Sequence, residues 1–296
     1  MSKNICCFGA SVTQQKEGYP TFLNKYLKNN YDIQTFGYGS HNISNAGILY
    51  IDDIVKNKPL LCILDWFVTG FNDINDTIYA INIIVYKLMQ INCICLFTFF
   101  LCINENNCGK KYYDTIKKYM DSHNLKYIDF EDHLDFSNIL IKDDVHTTMY
   151  GGNEYAKILA SYINNINFDN YEYYIPINII TKNNFYMNIL KYDIGNGIVI
   201  NENDNIVIQF DKIYEYIFCV MQVGPHSGII KINDIEINTW DIYCHFERTV
   251  TRKININSDK IIVNVLPNLI CTSNCRREID FTLHKKQLRL IDIFLC

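Results

Sequence analysis

The sequence predicts an α/β domain built on a parallel sheet, followed by an antiparallel β-sandwich domain. In the first half, short apolar runs alternate with segments whose apolar residues recur at helical spacing, which is typical of strands joined by crossover helices. After about residue 164 this alternation stops, and runs of β-branched and aromatic residues are separated by Asn, Asp, Gly and Pro. Because 296 residues exceed the usual size of one domain, we predict two, over residues 1–165 and 170–296.

The strands and helices of the first half follow one another regularly. We predict strands at 5–8, 33–37, 60–68, 93–101 and 126–130, and helices at 19–28, 44–56, 77–90, 112–123 and 151–163. Pro20 fits the first turn of its helix, where a backbone N–H has no partner to lose, and Ser44 is the expected N-cap of the next helix. Right-handed crossovers then place the carboxyl ends of the strands along one edge of the sheet.

The second half contains strand-like runs at 197–200, 206–210, 214–223, 228–232, 242–248, 260–266, 279–283 and 288–294. Turns such as Asn203-Asp204-Asn205 and Asn233-Asp234 lie between them. Short strands separated by such turns favour an antiparallel sandwich over further βαβ units.

Composition excludes several classes of protein. Hydrophobic residues make up 49% of the chain and charged residues 20%, as in globular proteins, and no apolar stretch approaches the roughly 20 residues of a membrane helix. The N-terminus shows no export-signal pattern, so we expect a soluble, intracellular (cytoplasmic) protein without membrane insertion. A net charge of −5 with dispersed lysines argues against nucleic acid as a partner. The sequence leaves the oligomeric state open.

The 12 cysteines are scattered through strand-like runs in a chain too long to need disulfide bonds for its stability. We therefore expect most of them to be reduced, buried thiols. Two pairs, Cys102 with Cys108 and Cys271 with Cys275, lie in loop-like surroundings. Neither is accompanied by a second pair at zinc-ligand spacing, so we expect no metal and no cofactor.

Ser11 follows the first predicted strand and has candidate partners far downstream. A serine hydroxyl becomes a good nucleophile when a base takes its proton and a third group holds that base. His146 can be the base and Asp143 the third group, because on a tight turn the carboxylate reaches one imidazole nitrogen while the other faces the serine. Alone, a serine after a strand is typical of a turn or an N-cap, so the hypothesis depends on the whole set.

An acyl-transfer site also needs hydrogen-bond donors aimed at the oxyanion. The backbone N–H of Ser11, the N–H of Gly39 and the side-chain amide of Asn72 are the candidates, since each follows a predicted strand. Glycine at position 39 lets the backbone approach a substrate without a Cβ in the way. Gly37 is the alternative donor if the second strand ends earlier. Taken singly, Gly39 and Asn72 would be interpreted as turn residues.

Four blocks in this order resemble the SGNH (GDSL-type) hydrolase superfamily, over residues 1 to about 165. The blocks are Gly9-Ala10-Ser11, Phe36-Gly37-Tyr38-Gly39, Gly70-Phe71-Asn72-Asp73 and Asp143-Asp144-Val145-His146. The resemblance implies a flavodoxin-like three-layer α/β/α sandwich with a parallel sheet, and esterase or acyltransferase chemistry. Ala10 departs from the family pattern, which has an aspartate before the nucleophile. The departure removes a side chain that supports the loop, and it leaves the four catalytic roles intact.

Three further residues are candidates for substrate binding. His41 lies just beyond Gly39 and is either part of the cleft or a polar loop residue. Trp66 lies near the end of the third predicted strand, where it is core, cleft wall or substrate platform. Trp240 lies among charged residues of the β domain, an arrangement that suits either sugar binding or a seam between domains.

These observations predict a serine esterase that forms an acyl-enzyme on Ser11 and releases it with water activated by His146. By analogy with the family, we expect a small-molecule or glycan ester as substrate, an O-acetyl carbohydrate first, and a carbohydrate-binding role for the β domain. Two alternatives stay open. One is a sugar O-acyltransferase that uses the same triad, and the other is a catalytically inactive glycan-binding or structural protein.

Overall fold

The structure is a computed structural model, and it describes residues 3–68, 73–102, 107–135, 137, 139–166, 168, 189–240, 244, 247–266 and 286–296. The chain divides into two compact units, Met1–Asn184 and Phe185–Cys296. Among the helices in these described ranges, none combines the length and the apolar character needed to cross a membrane.

A five-stranded parallel sheet forms the centre of the first unit. Its strands are β1 (Lys3–Gly9), β2 (Tyr31–Gly37), β3 (Leu61–Asp65), β4 (Ile94–Phe99) and β5 (Lys126–Asp129). They lie in the order β2-β1-β3-β4-β5, which is the order of flavodoxin-like folds and confirms the predicted class. Ligands of such sheets bind beyond the carboxyl ends of the strands where the winding direction reverses, which here is between β1 and β3.

Within the described part of this unit, the α-helices are α1 (Ser11–Gln14), α2 (Tyr19–Leu27), α3 (Ile48–Lys56), α4 (Ile74–Met89), α5 (Asn107–Ser122) and α6 (Met149–Asn164). A π-helical turn, Ile43–Gly47, precedes α3, and its N-cap is Asn42. The prediction of Ser44 as N-cap is therefore wrong. Asn42 and Asn45 cap each other reciprocally, because each side-chain oxygen accepts from the other residue's backbone N–H.

The central strands are buried on both faces, as the continuous apolar runs predicted. Cys6, Cys62 and Cys95 are register partners on β1, β3 and β4, so three buried thiols lie side by side in the core. The described cysteines are free thiols, which agrees with the prediction of reduced cysteines. The side chain of Cys108, and all of Cys271 and Cys275, lie outside what the structure describes.

The second unit is an antiparallel β domain, as predicted. Its strands are β6 (Leu190–Tyr192), β7 (Ile198–Asn201), β8 (Asn205–Val223), β9 (Ile229–Ile232), β10 (Ile235–Asn238), β11 (Arg248–Leu266) and β12 (Gln287–Leu295). They form one hydrogen-bonded sheet in the order β10-β9-β11-β8-β12-β6, with β7 also paired to β12. The two long strands shift register between Asn255 and Lys260, where the sheet can bend. Both halves of β8 contribute to one core, which gives the sandwich-like packing.

The strand boundaries of this unit differ from the prediction in three places. The predicted strands 206–210 and 214–223 are one strand, β8, which pairs with β11 on both sides of a register shift. Strand β11 begins at Arg248, well before the predicted 260. The short strands β6 and β10 were not predicted. Most of the predicted strand 242–248 and all of 279–283 lie outside the described residues.

Candidate active site

Ser11 lies where the parallel sheet places it, at the carboxyl end of β1. It is the first residue of α1 and is partly exposed. The turn between strand and helix is tight, since a Cβ added to Gly9 would lie 2.3 Å from the carbonyl oxygen of Asp65. The N–H of Ala10 donates to that same oxygen at 2.7 Å. The Ser11 turn is thus packed directly onto the end of β3.

Asp65 is an unexpected part of this region, because it is a fully buried carboxyl beneath the Ser11 turn. Its Oδ2 accepts from the backbone N–H of Thr13 at 3.0 Å and from the Thr13 hydroxyl at 2.9 Å. Burial raises the pKa of Asp65 to about 7, and the two hydrogen bonds from Thr13 offset only part of that effect.

Asp143 and His146 form a hydrogen-bonded pair on a tight turn. The ring Nδ1 of His146 lies 2.9 Å from Asp143 Oδ2 and 3.1 Å from Oδ1. The backbone N–H groups of Val145 and His146 also donate to Asp143 Oδ1, at 3.0 and 2.7 Å. Partial burial opposes ionisation of Asp143, but these donors outweigh it and lower the pKa of the carboxyl. Asp143 therefore carries the charge that an imidazolium partner needs.

Gln15 ties the His146 turn to the Ser11 segment. Its side-chain amide donates to the carbonyl oxygen of Thr147 at 3.0 Å and accepts from the N–H of Thr147 at 3.0 Å. Gln15 is four residues after Ser11 and Thr147 is next to His146, so the two parts of the proposed triad are joined by a paired amide contact. Among the described residues, no direct hydrogen bond links the Ser11 hydroxyl to the His146 ring.

Gly39 lies beside Ser11, and its N–H is already engaged. The N–H donates to Gln14 Oε1 at 2.9 Å. A Cβ added to Gly39 would lie 2.2 Å from that oxygen and 3.8 Å from Ser11 Cβ. A Cβ on Gly37 would instead strike the backbone of α1, 2.4 Å from Gln14 Cα. Of the two candidate glycines, Gly37 allows the close approach of β2 and α1, and Gly39 lies next to Ser11.

No protein-family model and no curated protein matches the chain. Two solved structures of a two-domain esterase (CEX) active on acetylated mannans are similar to it over almost its full length. The one co-crystallized with mannopentaose has a TM-score of 0.69 and 12% identity, covering 99% of this chain and 90% of that chain. The other has a TM-score of 0.68 and 12% identity, covering 99% and 91%. The chain therefore shares the fold of this two-domain protein, an α/β unit with a parallel sheet followed by an antiparallel β unit. A further match, the acetyl xylan esterase AlAXEase, has a TM-score of 0.46 and 22% identity, covering 55% of this chain and 100% of that chain.

The third block of the SGNH-type pattern is described only in part. Asn72, the expected side-chain donor to the oxyanion, lies outside the described residues. Asp73 is the N-cap of α4, where its carboxylate accepts from the N–H groups of Asn75 and Asp76 at 2.8 and 3.2 Å. The aspartate of this block therefore begins a helix, which is the turn chemistry that a local interpretation predicts.

The three candidate substrate-binding residues are all buried. His41 is 2% exposed and its Nδ1 lies 2.9 Å from the carbonyl oxygen of Gly39, so it supports that turn from within. Trp66 is 2% exposed and packs edge-on against Phe8, which places it in the core and does not support a stacking platform. Trp240 is 8% exposed in the β unit, with the Lys286 ammonium 5.4 Å from its ring centre.

Sequence reasoning did not identify Gln14, Gln15 and Asp65 as parts of this site. The first two lie three and four residues after Ser11, so a pair of long amide side chains one helical turn beyond the candidate serine is a usable signal. Asp65 was included in the apolar run 60–68, and a lone carboxyl inside a buried strand was the signal for it. Among the described residues, no group of three or more His, Cys, Asp and Glu side chains could hold a metal ion.

Proposed function

We propose that this chain is a serine esterase that removes an acyl group, an O-acetyl group first, from a carbohydrate. The observation that carries the proposal is the Asp143–His146 pair, whose turn is tied to the Ser11 segment through Gln15. The likeness in fold to an esterase active on acetylated mannans supports the choice of substrate class. We propose a glycan-binding role for the β unit on the same grounds.

The hydrogen bond at Nδ1 decides which ring nitrogen of His146 acts as the base. With the Nδ1 proton donated to Asp143, Nε2 carries the lone pair that takes the Ser11 proton. Ser11 Oγ bonds to the ester carbonyl carbon, and the sugar oxygen leaves with the proton returned by His146. Water then gives its proton to His146 and bonds to the acyl carbon, and the Ser11 oxygen leaves with that proton. Asp143 stabilises the imidazolium in both halves.

The oxyanion of each tetrahedral intermediate needs donors close to Ser11. We propose the N–H of Ser11, the N–H of Gly39 and the side chain of Asn72 for this role. Gly39 can serve only after Gln14 releases it, because one N–H does not serve two acceptors well at 2.9 Å. Substrate binding thus includes the displacement of the Gln14 amide oxygen.

Turnover of p-nitrophenyl acetate by wild type, Ser11→Ala and His146→Ala tests the triad. We expect each substitution alone to lower kcat by about 10³-fold or more, because the loss of one member of a triad disables the whole unit. The chain offers a serine and a histidine outside the proposed triad as a matched control: Ser122 Oγ lies 2.9 Å from His123 Nδ1. Ser122→Ala and His123→Ala should leave turnover unchanged.

Two outcomes would contradict the proposal. Unchanged turnover in either triad variant refutes the roles of Ser11 and His146. The absence of turnover in wild type favours the glycan-binding or structural alternative. A parallel reaction with an acceptor oligosaccharide distinguishes the remaining alternative, since faster turnover with an acylated sugar product indicates transfer to the acceptor instead of hydrolysis.

A further inference from the structure

Ala10 leaves the first turn of α1 without a cap of its own. It is the N-cap of this short helix, and no side chain at that position accepts a hydrogen bond from the turn. The first N–H groups of a helix have no intrahelical partner and need an acceptor. Ala10, Val12 and Thr13 are all fully buried, so bulk water does not provide one. The acceptor has to come from another part of the chain.

Asp65 provides that acceptor from the neighbouring strand. The N–H of Thr13, the third residue of α1, donates to Asp65 Oδ2 at 3.0 Å, which is the bond that an N-cap side chain normally accepts. The Thr13 hydroxyl donates to the same oxygen at 2.9 Å, and the N–H of Ala10 donates to the main-chain oxygen of Asp65 at 2.7 Å. Asp65 of β3 thus accepts three hydrogen bonds, which hold the segment on either side of Ser11.

The surrounding residues are shaped for this contact. A Cβ on Gly9 would lie 2.5 Å from Thr13 Oγ1 and 2.7 Å from Asp65 Cβ, so only glycine permits the approach. The Thr13 hydroxyl is also 2.9 Å from the Tyr19 hydroxyl, which fixes its orientation. Asp65 Oδ1 has no hydrogen-bond partner within the described residues, although the side chain is fully buried. Burying a carboxyl with one unsatisfied oxygen lowers the stability of the folded state. We take this as an indication that the hydrogen bonds between the other oxygen and Thr13 serve a purpose other than stability.

We propose that Asp65 is a positioning residue for the nucleophile: it caps the Ser11 turn in trans, in place of the side chain that Ala10 lacks. The inference rests on the proposed function, in which Ser11 is the nucleophile. Asp65 does not contact the reacting atoms. It acts through Thr13, whose backbone is two residues from Ser11, and so sets the direction of the Ser11 hydroxyl relative to the His146 ring. The raised pKa of Asp65 is consistent with a carboxyl that is kept buried for its hydrogen bonds.

Relocating the cap distinguishes positioning from general structural support. In Asp65→Leu the acceptor is lost, and we expect kcat for p-nitrophenyl acetate to fall at least tenfold with KM changed less than threefold. Asp65→Asn keeps one acceptor oxygen and should stay within about threefold of wild-type kcat. Adding Ala10→Asp to Asp65→Leu moves the carboxylate to the N-cap itself and should restore most of the lost kcat. Wild-type kcat in Asp65→Leu, or no recovery in the double variant, would overturn the inference.

A measurement without turnover keeps the inference testable if Asp65→Leu does not fold or if wild type proves inactive. Amide hydrogen exchange at Thr13, followed by NMR, reports the cap directly. We expect slow exchange of the Thr13 amide in wild type and in Asp65→Asn. In Thr13→Val, which lacks the hydroxyl that donates to Asp65, we expect faster exchange of the residue 13 amide and no change at the remote Thr115. Fast exchange at Thr13 in wild type would refute the cap, whereas missing turnover with slow exchange refutes only the proposed esterase activity.

Discussion

The buried carboxyl of Asp65 should make the stability of the first unit depend on pH. Burial raises the pKa of Asp65 to about 7, from an ordinary value of 3.8. Between these two values the folded chain holds the proton and the unfolded chain has lost it. The unfolded chain then binds fewer protons, so the free energy of unfolding falls as pH rises. The penalty is absent below about pH 4 and fully developed above about pH 7.

The size of the effect follows from the pKa shift. One pKa unit corresponds to about 1.4 kcal/mol, so a shift of roughly three units lowers the free energy of unfolding by about 4 kcal/mol across this range. The ionisable groups that interact with Asp65 are Cys7, Tyr19, Tyr113 and Tyr155. The pKa of each is raised by burial, so all four stay neutral throughout the range and add no titration of their own.

Asp65→Asn isolates this contribution, because it keeps the shape of the side chain and removes its titration. The free energy of unfolding of the variant minus that of wild type should rise by up to about 4 kcal/mol from about pH 4 to about pH 8. Urea unfolding followed by tryptophan fluorescence measures both proteins at each pH. A Trp240→Phe background leaves only Trp66 as reporter, so the signal comes from the first unit even if the two units unfold separately. A difference that stays flat within about 0.5 kcal/mol, or that falls with pH, would refute the reasoning.

Two further substitutions test contacts beside Ser11. Gln14→Met frees the N–H of Gly39 and should raise kcat/KM for small esters by about 2- to 10-fold. Gln14→Glu holds that N–H more strongly, because its acceptor is charged, and should lower kcat/KM. Equal values of kcat/KM in both variants would exclude Gly39 as an oxyanion donor. Gln15→Met removes the three hydrogen bonds to Thr147 and should lower kcat by about tenfold or more, with a loss of about 1–3 kcal/mol in the free energy of unfolding. An unchanged kcat would show that the His146 turn does not need this contact.

The order of elements in the first unit could be predicted from the sequence because the central strands are buried on both faces and the long helices on one. These patterns depend on local spacing alone, and they identified the five parallel strands and the long helices to within a few residues. The β unit was harder. Its long strands β8 and β11 pass through polar residues that resemble turns, and the two strands pair with each other on both sides of a register shift there.

The candidate site shows the same division. Ser11, Asp143 and His146 were identified from their order along the chain, and the Asp143–His146 contact is local enough to follow from a three-residue spacing. Asn72 and the triad roles themselves stay predictions. Ser44 was assigned as a cap where Asn42 serves, because a single polar residue before a helix does not reveal whether a reciprocal partner follows it.

The sequence by itself determined the fold class, the strands that end near the site and the residue types available for acyl transfer, since these follow from periodicity and from the chemistry of single side chains. Only the tertiary structure decided what those residues meet. The contacts of Gln15 with Thr147, of Gln14 with Gly39 and of Asp65 with Thr13 join segments that are 132, 25 and 52 residues apart. Such contacts depend on which strands lie side by side and how closely their glycines let them approach, and no local pattern carries that information.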